Sequence, residues 1–218
     1  DIFRRIIAQG HNEILYLAFS SGLSGTYHSS TVAAQNIMKE NPNVRILTVD
    51  TLAAALGEGL IVDKAVEVRD QGKTIDEVAQ WVEENKLKTA HWFTVDDLNF
   101  LKRGGRISAS AAWFGSALKI KPVLHVDNNG KLIPMEKKIG RKKSLARIAE
   151  IVRETAVDIQ DQTIYIAHGD CLDDVEEIKA MITAETGADK FFVNDLGPVI
   201  GSHSGPGTLA VFFFAKGR

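Results

Sequence analysis

Three stretches of the chain carry side chains whose types and spacing could do chemistry. Ser20-Ser21-Gly22-Leu23-Ser24-Gly25-Thr26-Tyr27 sets four aliphatic hydroxyls among glycines, directly after an apolar run from Ile14 to Phe19. At such a strand-to-helix corner, backbone N–H groups and the positive end of the following helix point the same way, so hydroxyls placed there can hold an anion. The glycines let the loop turn sharply and bring backbone close to a ligand. A simpler role is also open, because Ser24 or Thr26 alone could cap the helix. The second stretch, Leu196 to Gly207, holds His203 between Ser202 and Ser204 with four glycines and two prolines around them. A loop restricted in this way presents one imidazole in a fixed orientation. The third, Lys102-Arg103-Gly104-Gly105-Arg106, projects cations from a glycine turn, a composition suited to phosphate or to an acidic partner surface. A helix C-terminus with cations on the negative end of its dipole accounts for Lys102, Arg103 and Gly104 but leaves Arg106 unexplained.

Other candidates are weaker. His168 and Asp170 invite a metal or acid–base role, but no second histidine or carboxylate cluster stands at ligand spacing, so no metal is expected. His91 reads as packing at a strand end. Cys171 is the single cysteine and cannot form an intrachain disulfide; it reads as a small, half-buried residue. The order Ser21 or Ser24, then Asp170 or Asp195, then His203 matches that of an α/β-hydrolase triad, which makes a serine hydrolase acting on an acyl ester the chief alternative function. No Gly-x-Ser-x-Gly elbow supports it. The basic run from Lys137 to Lys143 could touch RNA, phosphate or an acidic protein. It has no interleaved aromatics and the net charge is −2, so nucleic acid is not expected as a partner.

The elements that must position these groups alternate between strand and helix patterns. With 218 residues, 44% hydrophobic and 25% charged, the chain is long enough for a core that needs no staples. No apolar run reaches the roughly 20 residues that span a bilayer and no signal-peptide pattern opens the chain, so a cytoplasmic protein is expected. Residues 1–10 read as an amphipathic helix already under way, and the first residue is not Met; an N-terminal piece carrying the first strand is expected to be absent here. Residues 14–19, 44–49 and 90–95 read as strands, with helices over 27–39, 53–71 and from Thr74 to about Lys88. This βαβααβ order predicts one parallel sheet covered by helices. Thr74-Ile75-Asp76-Glu77 has the capping-box pattern. Gly57 and Gly59 lower helix propensity by about 1 kcal/mol each against alanine, which points to close packing at those positions.

The second half predicts a small-residue helix from Ser108 to Leu118, then strands 120–126 and 131–135 joined through Asp127-Asn128-Asn129-Gly130, a hairpin signal. The basic run then leads a helix to about Val157. Strand 163–170, a helix from Asp173 to Gly187 and strand 190–195 form another βαβ unit, and residues 208–214 form a buried final strand.

Taken in order, Ser20–Tyr27, Val95-Asp96-Asp97-Leu98, Arg103-Gly104-Gly105-Arg106-Ile107, Lys119-Ile120-Lys121-Pro122-Val123-Leu124 and Gly197–Gly207 resemble the DegV family of bacterial fatty-acid-binding proteins, also called FakB proteins. The resemblance covers essentially the whole chain. It implies an α/β fold of two α/β domains, taken here as residues 1–107 and 108–218. The N-terminal domain would have a mainly parallel sheet, and a long-chain fatty acid would lie at the interface. It implies that Ser20, Ser21, Gly22, Ser24, Gly25, Thr26, His203 and Ser204 bind the ligand; in an alternating strand that exits at Phe19 only one of the paired serines can face it, and Ser24 is placed to cap the helix, so Ser21 and His203 are expected to meet on one carboxylate. It further implies a carrier with no catalytic residue, no cofactor and no metal, which presents the acyl chain to a separate fatty acid kinase for the acyl phosphate used in phospholipid synthesis. Arg103, Arg106 and Arg141 are the residues expected to meet that kinase. Two departures stand out: nothing here matches the family's Thr-Ser-Gln-Pro-Ser-like loop, and Ile139 stands where the family commonly has an arginine.

Overall fold

A computed structural model describes residues 1–108 and 119–218. Apart from Ser108, the small-residue helix expected up to Leu118 lies outside the described residues.

Two sheets organise the molecule. In the smaller one, β1 (Glu13–Ala18) pairs in parallel with β2 (Arg45–Asp50), in a register that runs from Glu13 opposite Arg45 to Ala18 opposite Asp50. Helices α1 (Ile2–Ala8) and α2 (Thr26–Glu40) share a core with one side of it through Phe3, Ala34 and Ile37 on Ile14 and Ile46. Helices α3 (Leu56–Asp70) and α4 (Ile75–Asn85) pack on the other through Ile61, Ala65, Val78 and Val82 against Val49. Helix α4 opens with the expected capping box, Thr74 accepting from the Glu77 N–H while the Glu77 carboxylate accepts from the Thr74 N–H.

The larger sheet has six strands in the order β5-β4-β3-β8-β6-β7. These are β3 (Thr89–Thr94), β4 (Ile120–Val126), β5 (Leu132–Ile139), β6 (Ile164–His168), β7 (Phe191–Asp195) and β8 (Leu209–Phe214). The parallel pairing of β1 and β2 is as expected, but the third strand of the predicted parallel sheet stands elsewhere. Strand β3, assigned by pattern to the parallel sheet, instead pairs antiparallel with β8 and β4. A strand buried on both faces is equally suited to either neighbour, and local sequence does not encode which edge it joins. The hairpin β4–β5 forms as expected, with Gly130 at φ 69 in its turn. Lys137 and Lys138 are part of β5, so the basic run leads no helix until α6 (Arg141–Thr155). Strands β6 and β7 pair in parallel around α7 (Leu172–Thr186), as the βαβ pattern requires.

Strand β8 is central and buried on both faces, which its run Leu-Ala-Val-Phe-Phe-Phe demands. Successive side chains of a strand point to opposite faces. Leu209, Val211 and Phe213 meet α6 and α7, whereas Ala210 and Phe212 face α3 and the short α5 (Asn99–Arg103). The Tyr165 hydroxyl donates to Asp63 of α3 at 2.7 Å, tying that helix to the second face. No helix among the described residues is long and apolar enough to cross a membrane.

Glu58, in the first turn of α3, is half-buried near Tyr16, and burial raises its carboxyl to about 7. A folded-state pKa above the unfolded one means stability is full below pH 4.5 and falls as pH rises towards 7. Glu58→Gln is therefore expected to leave stability unchanged at pH 4 and raise it by about 2 kcal/mol at pH 8, discounted for partial exposure and for the favourable helix dipole. Denaturant melts at the two pH values check this, and equal gains at both would rule it out.

Candidate functional site

The corner after β1 divides its hydroxyls between two tasks. Ser20 is fully buried; its Oγ donates to the Gly130 carbonyl at 2.8 Å and accepts from the Gly22 N–H at 3.1 Å. A Cβ on Gly22 would lie 2.5 Å from the Asn129 carbonyl oxygen, and one on Gly130 would lie 2.0 Å from Ser20 Oγ. Ser20 and Gly22 thus lock the corner onto the β4–β5 turn. Ser21 is exposed, and its N–H donates to Asp50 Oδ1 at 3.1 Å. Ser24 and Thr26 differ from these. Their hydroxyl oxygens are 2.8 Å apart at the N-terminus of α2, where Gly25 is the cap residue, and both line a cavity.

The histidine stretch is a short helix, α8 (Pro198–Ser204), where a loop was expected. Pro198 at its first turn and Gly197 before it start the helix, and Gly205 at φ 82 ends it. His203 sits in its last turn, packed on the glycine turn that follows α5. A Cβ on Gly104 would lie 2.3 Å from His203 Nδ1. Gly104 has an ordinary φ of −70, so it is glycine for the sake of this approach. The same turn supplies Arg106, half-buried, whose guanidinium donates to the Gly104 carbonyl. Arg103 is exposed and stacks 4.7 Å from the Phe100 ring centre. Arg141 is elsewhere: it pairs with Asp174 at 2.8 Å and is largely buried by that contact.

The cavity lies between the corner, the loop after β2, α5, α8 and the second face of the six-stranded sheet, with a volume of about 310 Å³. That is within the range of ligand clefts, about 300–1,000 Å³. Of the predicted ligand residues, Ser24, Thr26, His203 and Ser204 line it, together with Arg106; Ser20, Ser21, Gly22 and Gly25 do not. Its floor is Phe93, Ala210 and Phe212, all buried, while Ser24, Thr26, Arg106 and His203 are half-buried or exposed. Most of the polar groups therefore ring the solvent side of an apolar pocket. Of the polar side chains on its wall, Ser204 and Thr208 are buried, and so is His91, 2% exposed. Its Nδ1 lies 2.9 Å from the Thr89 carbonyl and so carries the proton, while Nε2 accepts from the Ala54 N–H at 3.5 Å. Burial, with Arg218 nearby, pushes its pKa well below the usual histidine range. That His91 lines the cavity, beyond packing in the strand, escaped the sequence pattern; its alternation with Phe93 on one face of β3 was the available signal.

The hydrolase arrangement does not assemble. Asp195 lies against His168, 3.3 Å from Nε2, and Asp170 is exposed. Among the described residues no group of three or more His, Cys, Asp and Glu side chains could hold a metal ion.

The family model described as "Uncharacterised protein, DegV family" matches residues 1–216. The chain belongs to the DegV family. A DegV domain-containing protein of Clostridium perfringens is 49% identical over 213 residues, which is 98% of this chain and 73% of that protein. A solved structure described as fatty acid binding of a DegV family protein from Thermus thermophilus superposes with a TM-score of 0.86. It is 32% identical and covers 98% of this chain and 75% of its own. The fold is also that of the Streptococcus pneumoniae Fatty Acid Kinase (Fak) B3 protein loaded with linoleic acid, with a TM-score of 0.88 and 21% identity over 98% of this chain and 75% of that one. In this DegV protein the loops that follow β1 and β2 and the second face of the larger mixed sheet enclose the cavity between them.

Proposed function

We propose that this protein is a carrier that holds a long-chain fatty acid in the cavity and presents its carboxylate to a separate fatty acid kinase. The observation that carries this reading is an apolar pocket whose polar side chains either lie at its solvent rim or, as His91, Ser204 and Thr208, are buried and bonded to backbone groups. Each buried methylene contributes about 0.8 kcal/mol, so the tail supplies most of the affinity, while the carboxylate needs donors. The rim offers Ser24, Thr26, His203 and Arg106. The sequence pattern favours Ser21 for this task, but Ser21 is outside the cavity wall and Ser24 stands in its place. The relatives support it: the Thermus protein is described as binding fatty acid and the pneumococcal protein is loaded with linoleic acid. Arg106 and the exposed Lys102 and Arg103 give the rim a positive edge on which a partner can dock.

Organic extraction of the purified protein followed by mass spectrometry is expected to yield a long-chain fatty acid. His203→Ala is expected to lower the retained amount about tenfold, the loss of one charge-assisted hydrogen bond. Addition of a fatty acid kinase and ATP is expected to give acyl phosphate, and Arg106→Ala to slow that step in protein that still melts normally. Recovery of no fatty acid, or hydrolysis of an acyl ester that Ser24→Ala abolishes, would overturn the carrier reading.

A further inference from the structure

We propose that His91, seated against Gly57, is the end stop of the acyl pocket and sets the chain length this protein retains. The inference rests on the fatty-acid reading and adds to it a specificity residue. His91 lies in the row of the sheet farthest from the rim: it pairs with Phe212, and Phe93 pairs with Ala210 one row nearer to Thr208 and α8. Its ring stands edge-on to Phe212, with centres 5.2 Å apart and planes at 87°. Hydrogen bonds to the Thr89 carbonyl and from the Ala54 N–H fix it on two further sides. Behind it, the Arg218 guanidinium fills the space between Thr89 and Leu52, donating to both carbonyls. With both nitrogens met by backbone, the ring asks for no polar partner from the cavity, which suits a terminal methyl.

Gly57 explains how the ring reaches that seat. A Cβ at 57 would lie 2.1 Å from His91 Nε2, 2.5 Å from Cδ2 and 2.8 Å from Cε1, so the helix backbone itself is the back of the imidazole's slot. Glycine within a helix is unfavourable by about 1 kcal/mol against alanine, and here the space is what it provides. A methyl at 57 would push the ring toward its one open side, the cavity.

The two residues therefore act on chain length in opposite directions. His91→Ala deepens the pocket and Gly57→Ala makes it shallower. A methylene admitted or refused is worth about fourfold in affinity, so a change of about two methylenes shifts the ratio of longer to shorter chains roughly tenfold. The wild type, His91→Ala, Gly57→Ala and His91→Phe are each incubated with an equimolar mixture of saturated fatty acids from lauric to arachidic acid, then extracted and measured by mass spectrometry, with a thermal melt alongside. The expected profile moves to longer chains in His91→Ala and to shorter ones in Gly57→Ala. It stays near the wild type in His91→Phe, where bulk is kept and the ring nitrogens are lost. Should Gly57→Ala not fold, His91→Ala against His91→Phe decides. An unchanged chain-length profile in folded, fully loaded His91→Ala overturns the end stop while leaving the carrier reading intact. No uptake by any form overturns the carrier reading and the end stop with it.

Discussion

Ala210→Trp is expected to give a folded protein that retains about one hundredth of the wild-type fatty acid. Ala210 is on the central strand β8, 6% exposed, between Phe93 of β3 and Ala167 of β6 in register, and it faces the cavity. An indole there fills space that the tail would occupy. Excluding about four methylenes removes about 3 kcal/mol of transfer free energy, a factor of about a hundred. Overpacking in a filled core usually costs about 1–3 kcal/mol, but this side chain enters an existing void, so the melting temperature is expected to hold or rise. Lipid extraction and a thermal melt of the same sample test both halves. A stably folded Ala210→Trp protein with a full load of lipid would show that the acyl chain lies elsewhere.

The parts of this fold that local chemistry specifies were legible in the sequence, and the parts decided by distant partners were not. The Thr74–Glu77 capping box, the Asn129-Gly130 turn and the apolar run of β8 each carry their own cause and stand where the pattern puts them. Strand β3 has no such signature, and its place between β4 and β8 depends on residues about thirty positions away on one side and more than a hundred on the other. The site divides in the same way. His203 and the serine corner stood out because glycine, proline and hydroxyls are costly to place without reason. Which hydroxyl faces the cavity depended on the β4–β5 turn, since it is the Gly130 carbonyl that occupies Ser20. The apolar walls looked like core because they are core on every side but one. His91 was hidden most completely, its slot being made by the absence of a side chain at Gly57.

Arg218→Met is expected to cost about 3 kcal/mol and to loosen the roof of the cavity. The guanidinium, a fork of five donors, meets four backbone carbonyls: Leu52 at 2.6 Å, Thr89 at 2.9 Å, Asp127 at 3.1 Å and Lys86 at 3.2 Å. These come from the loop after β2, the start of β3, the turn of the β4–β5 hairpin and the turn before β3, so one side chain joins the small sheet to the large one. Burial lowers its pKa to about 10, and it remains charged at neutral pH. Bonds to a charged donor contribute about 1.5–3 kcal/mol each, but solvent can reach some of the freed carbonyls, which brings the net loss to the value given. For a chain of this size that is a fall of about 6–12 °C in melting temperature. The consequence for the ligand follows from Leu52, which holds φ 52 in the left-handed region, as does Ala55 at the same angle. Such a conformation is unfavourable by about 1–2 kcal/mol for a side chain of this kind and persists only where partners hold it. Asp50 Oδ1 accepts from the Leu52 N–H and Arg218 donates to its carbonyl. With the second of these removed, Ala54 and Ala55 on the cavity wall lose their anchor, and bound fatty acid should exchange faster. Arg218→Lys, a single ammonium in place of the fork, should recover only part of both effects. An Arg218→Met protein that melts and exchanges lipid as the wild type does would show that the carbonyls find water with no loss, and that the roof is held by Asp50 and His91 alone.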